Sequence, residues 1–482
     1  MAETNKYEAV IGLEVHTQLL TRSKLFCGDS AEFGAEPNTH ISPISLAHPG
    51  TLPKMNKKVI EYAIKLGLVL QCDIVRNNYF ARKNYFYPDL PKGYQVSQHT
   101  TPICKNGYVT VNVNGKERNI KLNRIHIEED AGKSLHDADE NYTCIDLNRA
   151  GVPLLEIVSE PDMHTAEEAA AYLTEIRKLV RYLGICDGNM EEGSMRCDAN
   201  ISIRPTGVET LGTKVEVKNL NSIRNVKKAI AYEIARLTAL ADKNEKIIQQ
   251  TRSFDAETET TFSLRTKEEA NDYRYFAEPD LTPFFISDGM LQSVKATIPA
   301  LPKQLEQTYQ EQYGLSAYDA KVICEEKATS DFFASLIQHT KHYKAAANWL
   351  LGPVRSYLNE NNLEIGDFTI PPTAIAVLIT LIDEGKINFS IAATKVFPAL
   401  LQQPGKDPLD LVTELNLLQE SNDDTVTLWI DEVLIKMPDK VNEYKRGKKA
   451  LLGLFAGEVK KLSKGKADMH LVNKLLAEKL SQ

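Results

Sequence analysis

The 482-residue sequence lacks the features of a membrane or secreted protein. Its most apolar stretch runs from Ala374 to Ile382, about half the length that a membrane span needs, and it contains Thr380. The N-terminal segment MAETNKYEAV has no apolar core of a signal peptide. The seven cysteines are odd in number and never spaced C-x-x-C, which argues against a disulfide framework and a local zinc site. We therefore expect a cytoplasmic protein with reduced thiols and no membrane association.

Two catalytic signatures are also missing. The segment from Ala131 to Ser134 resembles the end of a phosphate-binding P-loop, but isoleucine stands at 127, where the first glycine would be needed. The sequence has neither a Gly-x-Ser-x-Gly elbow nor a Gly-Gly-Ser-rich amidase loop. No serine nucleophile is therefore indicated that would release ammonia from an amide, so any ammonia must come from another chain.

Length and composition predict a folded protein of two or three domains. Charged residues make up 25% and hydrophobic residues 43%, which is typical of globular proteins. Proline-marked joints lie at 297–302 and 403–408. Strand-like alternation recurs before the first joint, and helical periodicity dominates after it. We predict an α+β fold, with a mixed or antiparallel sheet in domain 1–296 and helical domains at 297–405 and 406–482.

Three segments, 10–19, 194–204 and 213–218, alternate polar and apolar residues as strands do. In the first, Glu14, His16 and Gln18 share the face opposite Ile11, Leu13 and Val15. An antiparallel sheet with one solvated face would show the same alternation. However, His16 beside Glu14, and Asp198 between Arg196 and Asn200, favour a site for a metal ion and phosphates.

One helix is clearly delimited in the first domain. Thr165 and Glu168 have the spacing of a capping box, and an apolar stripe follows them. Gly184 supplies a C-terminal stop. The pattern predicts a helix that starts after Thr165 and ends just before Gly184.

Carboxylates are frequent in the first domain, among them Glu128, Glu129, Asp130 and Glu156. Acids that converge on a cleft would suit Mg²⁺, which prefers a few oxygen ligands together with water and nucleotide phosphates. Strand alternation places Glu129 on the side of the apolar residues Ile125 and Ile127. A ligand role for Glu129 therefore requires the strand to end there.

Charge is unevenly distributed along the chain. Residues 440–482 carry eleven Lys or Arg against four acids, whereas residues 1–439 have a net charge of −15. A basic tail on an acidic body is expected if the tail contacts a polyanion. The alternative interpretation is that the lysines only cover solvated helix surfaces. Tail glycines at 447, 453, 457 and 465 would let a phosphate backbone approach. We predict that the tail contacts a phosphate backbone through Lys445, Arg446, Lys448, Lys449, Lys464 and Lys466.

Eight motifs in order along the chain closely resemble the family formed by the B subunit of the bacterial aspartyl/glutamyl-tRNA(Asn/Gln) amidotransferase. They are IGLEVHTQL (11–19), EFGAEPN (32–38), RKNYFYPDLPKGYQ (82–95), IEEDAGKS (127–134), DLNRAGVPLLEIVSEPD (146–162), MEEGSMRCDANIS (190–202), KVEVKNLNS (214–222) and DYRYFAEPDL (272–281). The resemblance spans essentially the whole chain.

The resemblance implies a cradle domain that holds the active site, a helical middle domain, and a small helical tail of the YqeY type that contacts tRNA. It implies a ligase that uses ATP and Mg²⁺ to phosphorylate the side-chain carboxylate of Glu-tRNA(Gln) or Asp-tRNA(Asn). Ammonia then displaces the phosphate to form the amide. The implied partners are the amidase or A subunit, which supplies ammonia from glutamine, and a small C subunit. Both would join this chain in a heterotrimer.

By the same resemblance, the metal pocket maps to His16, Glu129 and Glu156, with Glu14 and Asp198 close by. From charge and motif position, we add Lys83, Arg196 and Lys214 as candidate phosphate contacts. Some family members carry C-x-C and C-x-x-C pairs near the EFGAEPN motif, a plausible zinc site. Here the four positions are Cys27, Asp29, Ser42 and Ser45, so we expect no zinc.

Two other functions fit parts of the sequence. A non-catalytic tRNA-binding scaffold would need only the basic tail, and alanine at Glu129 or Glu156 would then leave the activity intact. A free-standing ATP-dependent carboxylate–amine ligase that acts on a small acid would need only the first domain and would tolerate loss of residues 409–482. The choice between Asp-tRNA and Glu-tRNA depends on the other enzymes of the cell.

Overall fold

The computed structural model describes residues 6–136, 141–266, 273–419, 423–463 and 465–481. The chain divides into two compact units, 1–301 and 302–482. The first unit combines strands and helices, and the described part of the second is helical, which confirms the predicted α+β class. Within the described ranges, no helix is both long and apolar enough to cross a membrane.

The described strands all lie in the first unit. In chain order they are β1 (Tyr7–Gln18), β2 (Asp73–Ile74), β3 (Asn77–Asn78), β4 (Ala81–Asn84), β5 (Tyr94–Ser97), β6 (Cys104–Lys105), β7 (Tyr108–Val113), β8 (Lys116–Glu129), β9 (Lys133–Leu135), β10 (Cys144–Asp146), β11 (Pro153–Ser159), β12 (Met195–Pro205), β13 (Val215–Leu220), β14 (Gln250–Asp255), β15 (Thr260–Thr266), β16 (Phe276–Ala277) and β17 (Phe284–Phe285). The same unit contains helices α1 (Lys57–Val69), α2 (Ala166–Tyr182), α3 (Ile223–Asp242) and α4 (Asp288–Lys295).

A ten-stranded mixed sheet organises the first unit, in the order β15-β14-β13-β12-β1-β11-β8-β6-β2, with β7 paired to β8. All its pairings are antiparallel except β13 with β14, which is parallel. Strand β1 lies between β12 and β11 and pairs antiparallel with both. Strands β16, β4 and β5 form a separate three-stranded sheet.

The large sheet has one buried and one polar face. In β1 the side chains of Ile11, Leu13 and Val15 are fully or almost fully buried in the core of the unit, which also contains the apolar residues of α1, α2 and α3. The intervening Glu14 and His16 are only half-buried. The predicted alternation is therefore confirmed, because successive side chains of a strand point to opposite faces.

Helix α2 shows how its sequence sets its ends. The Thr165 hydroxyl accepts a hydrogen bond from the Glu168 backbone N–H at 3.1 Å, as the capping box predicts. The Glu168 carboxylate, however, accepts from the backbone N–H of His164 rather than from that of Thr165. Gly184 follows the helix in the left-handed region at φ +64°, which confirms the predicted C-terminal stop.

The second unit contains α5 (Pro302–Glu311), α6 (Ala317–Ile323), α7 (Lys327–Leu336), α8 (Tyr343–Trp349), α9 (Arg355–Asn361), α10 (Pro372–Asp383), α11 (Phe389–Ile391), α12 (Phe397–Gln402), α13 (Pro408–Glu414), α14 (Asp423–Lys436), α15 (Pro438–Lys445), α16 (Leu451–Leu462) and α17 (Met469–Ser481). Short π segments at Leu350–Val354 and Ala392–Val396 and a 3-10 turn at Ile365–Asp367 complete it.

Two hydrophobic clusters lie in this second unit. One draws on buried residues from Tyr309 to Val412, and the other on residues from Val426 to Leu480. Leu411 and Val412 of α13 belong to the first cluster, so α13 packs with the helices that precede it, although the predicted tail began at 406. The division of the chain into three domains remains a prediction.

Candidate active site on the polar face of the sheet

The register of three neighbouring strands aligns the polar side chains of the large sheet. His16 of β1 lies opposite Glu156 of β11 on one side and Arg196 of β12 on the other. Two residues earlier in β1, Glu14 lies opposite Asp198. All five side chains lie on the face opposite the core, because each occupies the polar position of its alternating strand.

These side chains line a cavity of about 850 Å³ within the first unit. Seven of the eight predicted catalytic and phosphate-binding residues contribute to its wall, namely Glu14, His16, Lys83, Glu156, Arg196, Asp198 and Lys214. The structure therefore brings together residues that are up to about 200 positions apart in the sequence. Their chemical roles remain predictions.

A compact group of two imidazoles and two carboxylates forms one largely buried part of this wall. His16 Nε2 lies 3.5 Å from a Glu156 oxygen and 3.7 Å from a Glu128 oxygen. His126 Nε2 lies 3.2 Å from Glu156 and 3.4 Å from Glu128. We call these four residues the imidazole–carboxylate cluster. His16, Glu128 and Glu156 each offer one ligand atom, and these atoms all lie within 4.8 Å of one another.

The structure places Glu129 outside the imidazole–carboxylate cluster, and its role as a ligand remains a prediction. Glu129 is the last residue of strand β8, and its side chain leaves the opposite face from Glu128. The Glu129 carboxylate instead forms an ion pair with Lys92 and accepts a hydrogen bond from the Val96 backbone N–H at 2.8 Å. It lines a separate, smaller cavity of about 130 Å³. Glu128, the residue before it, lies in the cluster beside His16 and Glu156.

His126 and Glu128 were missed as cluster members, although their spacing contained the necessary signal. They are two residues apart in β8 and therefore share a face. The register of β8 against β11 brings them to the cluster, because His126 lies opposite Glu156 of β11. When a strand ends in two adjacent acids, the sequence does not show which of them faces the site until the register of the neighbouring strand is known.

Electrostatics within the cluster favour an ionised Glu156 and protonated imidazoles. Burial alone would lower the pKa of His126, but the charges of Glu156 and Glu128 outweigh it and raise this pKa to about 9. The pKa of His16 is raised for the same reason, against the effect of burial. Burial would raise the pKa of Glu156, yet the two imidazoles hold it well below its ordinary value. The buried Nδ1 of His126 has no hydrogen-bond partner.

Cationic side chains surround the cluster. Arg196 donates to Asp130 at 2.8 Å, and Gln18 donates to the same carboxylate at 2.7 Å. Lys218, which the prediction did not include, lies 2.7 Å from Asp198 and 3.1 Å from Glu216. The alternation of residues 213–218 places Lys218 on the polar face of β13.

Lys83 and Lys214 complete the cationic groups of the cavity wall. Burial acts to lower the pKa of Lys83, but nearby negative groups, Glu128 first among them, raise it. Lys83 therefore keeps its charge although it is partly buried. Lys214 precedes β13 and is exposed.

The tail lysines lie in the second unit, at and after the end of α15. Lys445, Arg446, Lys448 and Lys449 are exposed, Lys466 is half-buried, and Lys464 lies outside the described residues. Lys448 is ion-paired with Glu443 at 3.0 Å, and the Lys449 ammonium lies 4.2 Å from the centre of the Tyr444 ring. Phe455 is fully buried, and Tyr444 packs edge-on against it in the same small core.

The four positions at which some family members carry cysteine contain a hydrogen-bonded polar group. The Ser45 hydroxyl donates to the Asp29 carboxylate at 2.6 Å and accepts from the Ser42 backbone N–H at 2.9 Å. Burial raises the pKa of the Cys27 thiol to about 11, which disfavours the thiolate that zinc requires. The expectation of no zinc remains a prediction.

Comparison with known proteins assigns the chain to a family. A model of the GatB/GatE catalytic domain matches residues 9–292, and one of the GatB domain matches residues 331–480. Curated proteins named as the B subunit of aspartyl/glutamyl-tRNA(Asn/Gln) amidotransferase are similar over nearly the full length. The relative from Thermodesulfovibrio yellowstonii is 48% identical over 99% of this chain and 100% of its own. For Geotalea uraniireducens the identity is 49% over the same shares, and for Bdellovibrio bacteriovorus it is 48% over 98% and 99%. The chain therefore belongs to the GatB family of tRNA-dependent amidotransferase subunits.

Proposed function

We propose that this chain carries the ATP-dependent transamidation step of an aspartyl/glutamyl-tRNA(Asn/Gln) amidotransferase. A side-chain carboxylate oxygen of Glu or Asp on the mischarged tRNA attacks the γ-phosphorus of ATP, and ADP leaves. The nitrogen of ammonia then attacks the acyl carbon, inorganic phosphate leaves, and the nitrogen loses a proton to give Gln-tRNA or Asn-tRNA. The imidazole–carboxylate cluster, set among cations in a cavity of the matched catalytic domain, is the observation that supports this proposal.

The cluster is chemically suited to hold Mg²⁺ through His16, Glu128 and Glu156. Two buried carboxylates supply the oxygen ligands that Mg²⁺ prefers, and the cavity leaves space for water and phosphate oxygens. Without a cation, protonated imidazoles balance the carboxylates, so metal binding would release protons. When bound there, Mg²⁺ would neutralise phosphate charge and make the γ-phosphorus more electrophilic.

The chain's own cations would orient the remaining phosphate oxygens. Lys83 and Arg196 lie in the same cavity wall as the cluster, and Lys218 is held there by Asp198. Phosphoryl transfer depends mainly on positioning and charge stabilisation, which fixed lysine and arginine side chains provide. We infer that Lys83, Arg196 and Lys214 contact phosphate, and we add Lys218 to this set.

The partners follow from the same proposal. Because the sequence carries no amidase nucleophile, the amidase or A subunit would release ammonia from glutamine, and a small C subunit would complete a heterotrimer. Mischarged tRNA would bind in part to a tail domain, the last of three domains, through exposed residues such as Lys445 and Lys449. The enzyme would act in the cytoplasm, where tRNA is charged.

Reconstitution tests this function. The chain, purified with its two partner subunits, is supplied with ATP, glutamine and either Glu-tRNA(Gln) or Asp-tRNA(Asn). The proposal predicts amide formation on at least one tRNA, with one ADP released per amide. Failure with both mischarged tRNAs would reject it. Activity on free glutamate or aspartate would instead support a free-standing ligase, which the similarity to tRNA amidotransferase subunits does not favour.

A further inference from the structure

A group of four rings in mutual contact forms another part of the wall of the large cavity. Tyr275 lies parallel to His99, with ring centres 3.9 Å apart and an angle of 6° between the planes. Tyr273 packs edge-on against Tyr275 at 6.0 Å and against Tyr85 at 6.1 Å. We call these four residues the ring wall.

The ring wall is not part of the protein core. None of its four members belongs to the hydrophobic cluster of the first unit or to the partly buried side chains packed against that cluster. His99 is exposed, and the three tyrosines are only partly buried. Rings that line a cavity without filling the core are available to a flat ligand, because aromatic side chains offer large apolar faces.

Lys83 joins the ring wall to the imidazole–carboxylate cluster. Its ammonium lies 5.0 Å from the centre of the Tyr273 ring and 5.7 Å from that of Tyr85. The carboxylates of Glu128 and Glu156 are also close enough to raise the pKa of Lys83 against the effect of burial. A ligand stacked on the rings could therefore direct an anionic group past Lys83 towards the cluster.

We propose that the ring wall stacks an adenine base of a substrate. This inference rests on the proposed function, in which both substrates carry adenine: ATP in its base and the tRNA in its 3′-terminal adenosine. Each joins a flat base to groups that must reach the cluster, either a triphosphate or the aminoacyl ester. Stacking on aromatic rings suits both, since it recognises the face of a base rather than its edge.

The two sources are separated by measuring two affinities on the reconstituted three-subunit complex. Equilibrium dialysis gives the dissociation constant of ATP, and filter binding gives that of the mischarged tRNA. Tyr275→Leu should raise one of them roughly 5- to 150-fold, the range that loss of a stacked base produces. Tyr275→Phe keeps the ring and should leave both within about twofold. Loss of ATP affinity assigns the wall to ATP, and loss of tRNA affinity assigns it to the terminal adenosine.

A second variant and a control variant distinguish loss of ligand binding from misfolding of Tyr275→Leu. His99→Ala removes the exposed member of the stacked pair and should weaken the same ligand. Tyr142→Leu alters a ring that is 74% exposed and does not line the cavity, so it should change neither constant. If Tyr275→Leu and His99→Ala leave both constants unchanged, the ring wall does not bind adenine. A wild-type complex that forms no amide would reject the proposed function instead, whatever the variants bind.

Discussion

Because of the buried cluster, the first unit should become less stable as the pH rises from about 6.5 to about 9. His126 has its pKa raised from 6.5 to about 9 in the folded protein. A group with a raised folded pKa stabilises the fold fully below its unfolded pKa, and this contribution is lost as the pH rises through the folded value. The contribution of His126 should therefore be complete below about pH 6.5 and gone above about pH 9.

The magnitude follows from the two pKa values. Because each pKa unit corresponds to 1.36 kcal/mol, the difference is worth about 3 kcal/mol of opening free energy. His126 is only 5% exposed, so solvent screening gives little reason to reduce this figure. The raised pKa of His16 acts in the same direction. A loss of about 3 kcal/mol lowers hydrogen-exchange protection by roughly 100- to 200-fold.

Hydrogen exchange resolves this effect by segment. Peptides from β8 and β11 would be followed between pH 6.5 and 9 in buffer with a metal chelator, after correction for the intrinsic rate of exchange. Tryptophan fluorescence would be unsuitable, because both tryptophans, Trp349 and Trp429, lie in the second unit. His126→Gln should flatten the pH dependence, whereas the exposed control His136→Gln should retain it. Equal protection of the wild-type strands at both pH values would show that the fold does not stabilise the protonated form of His126.

Three further predictions concern other parts of the chain. Without its partners, the chain should show no glutaminase activity, yet should form amide slowly at high ammonium; glutaminase activity in the rigorously purified chain would contradict this. Replacing Lys448 and Lys449 with alanine should reduce the slope of log affinity for tRNA against log salt concentration by about one to two, because each phosphate contact contributes about 0.7–0.9 to that slope. An unchanged slope would mean that these lysines do not contact tRNA phosphates and are only solvated surface residues. Lys218→Met should raise the KM for ATP more than that for tRNA, and equal effects on both would argue against a phosphate contact.

Strand alternation allowed much of the site to be predicted. The pattern around Glu14 and His16 predicted both the strand and its polar face, because the period of two is fixed by backbone geometry. The same logic correctly placed Arg196 and Asp198 on the polar side of β12. These predictions depended only on neighbouring residues, which is why they were reliable.

Features that depend on distant pairing were not predictable. The choice between Glu128 and Glu129 depends on where β8 ends, and both are acidic, so composition could not decide it. The ring wall joins residues 85–99 to residues 273–275 through the two-residue strand β16, which is too short to show a period. The packing of α13 with the preceding helices likewise depends on tertiary contacts made by Leu411 and Val412.

We propose that Glu128, and not Glu129, acts on the phosphoryl group within the imidazole–carboxylate cluster. The direct test is release of ADP from labelled ATP by the three-subunit complex with mischarged tRNA, comparing Glu128→Gln with the matched variant Glu129→Gln. Glu128→Gln should lower the rate at least about 100-fold with tRNA affinity unchanged, while Glu129→Gln should retain most of the phosphorylation rate. Loss of phosphorylation in Glu129→Gln together with its retention in Glu128→Gln would contradict the claim.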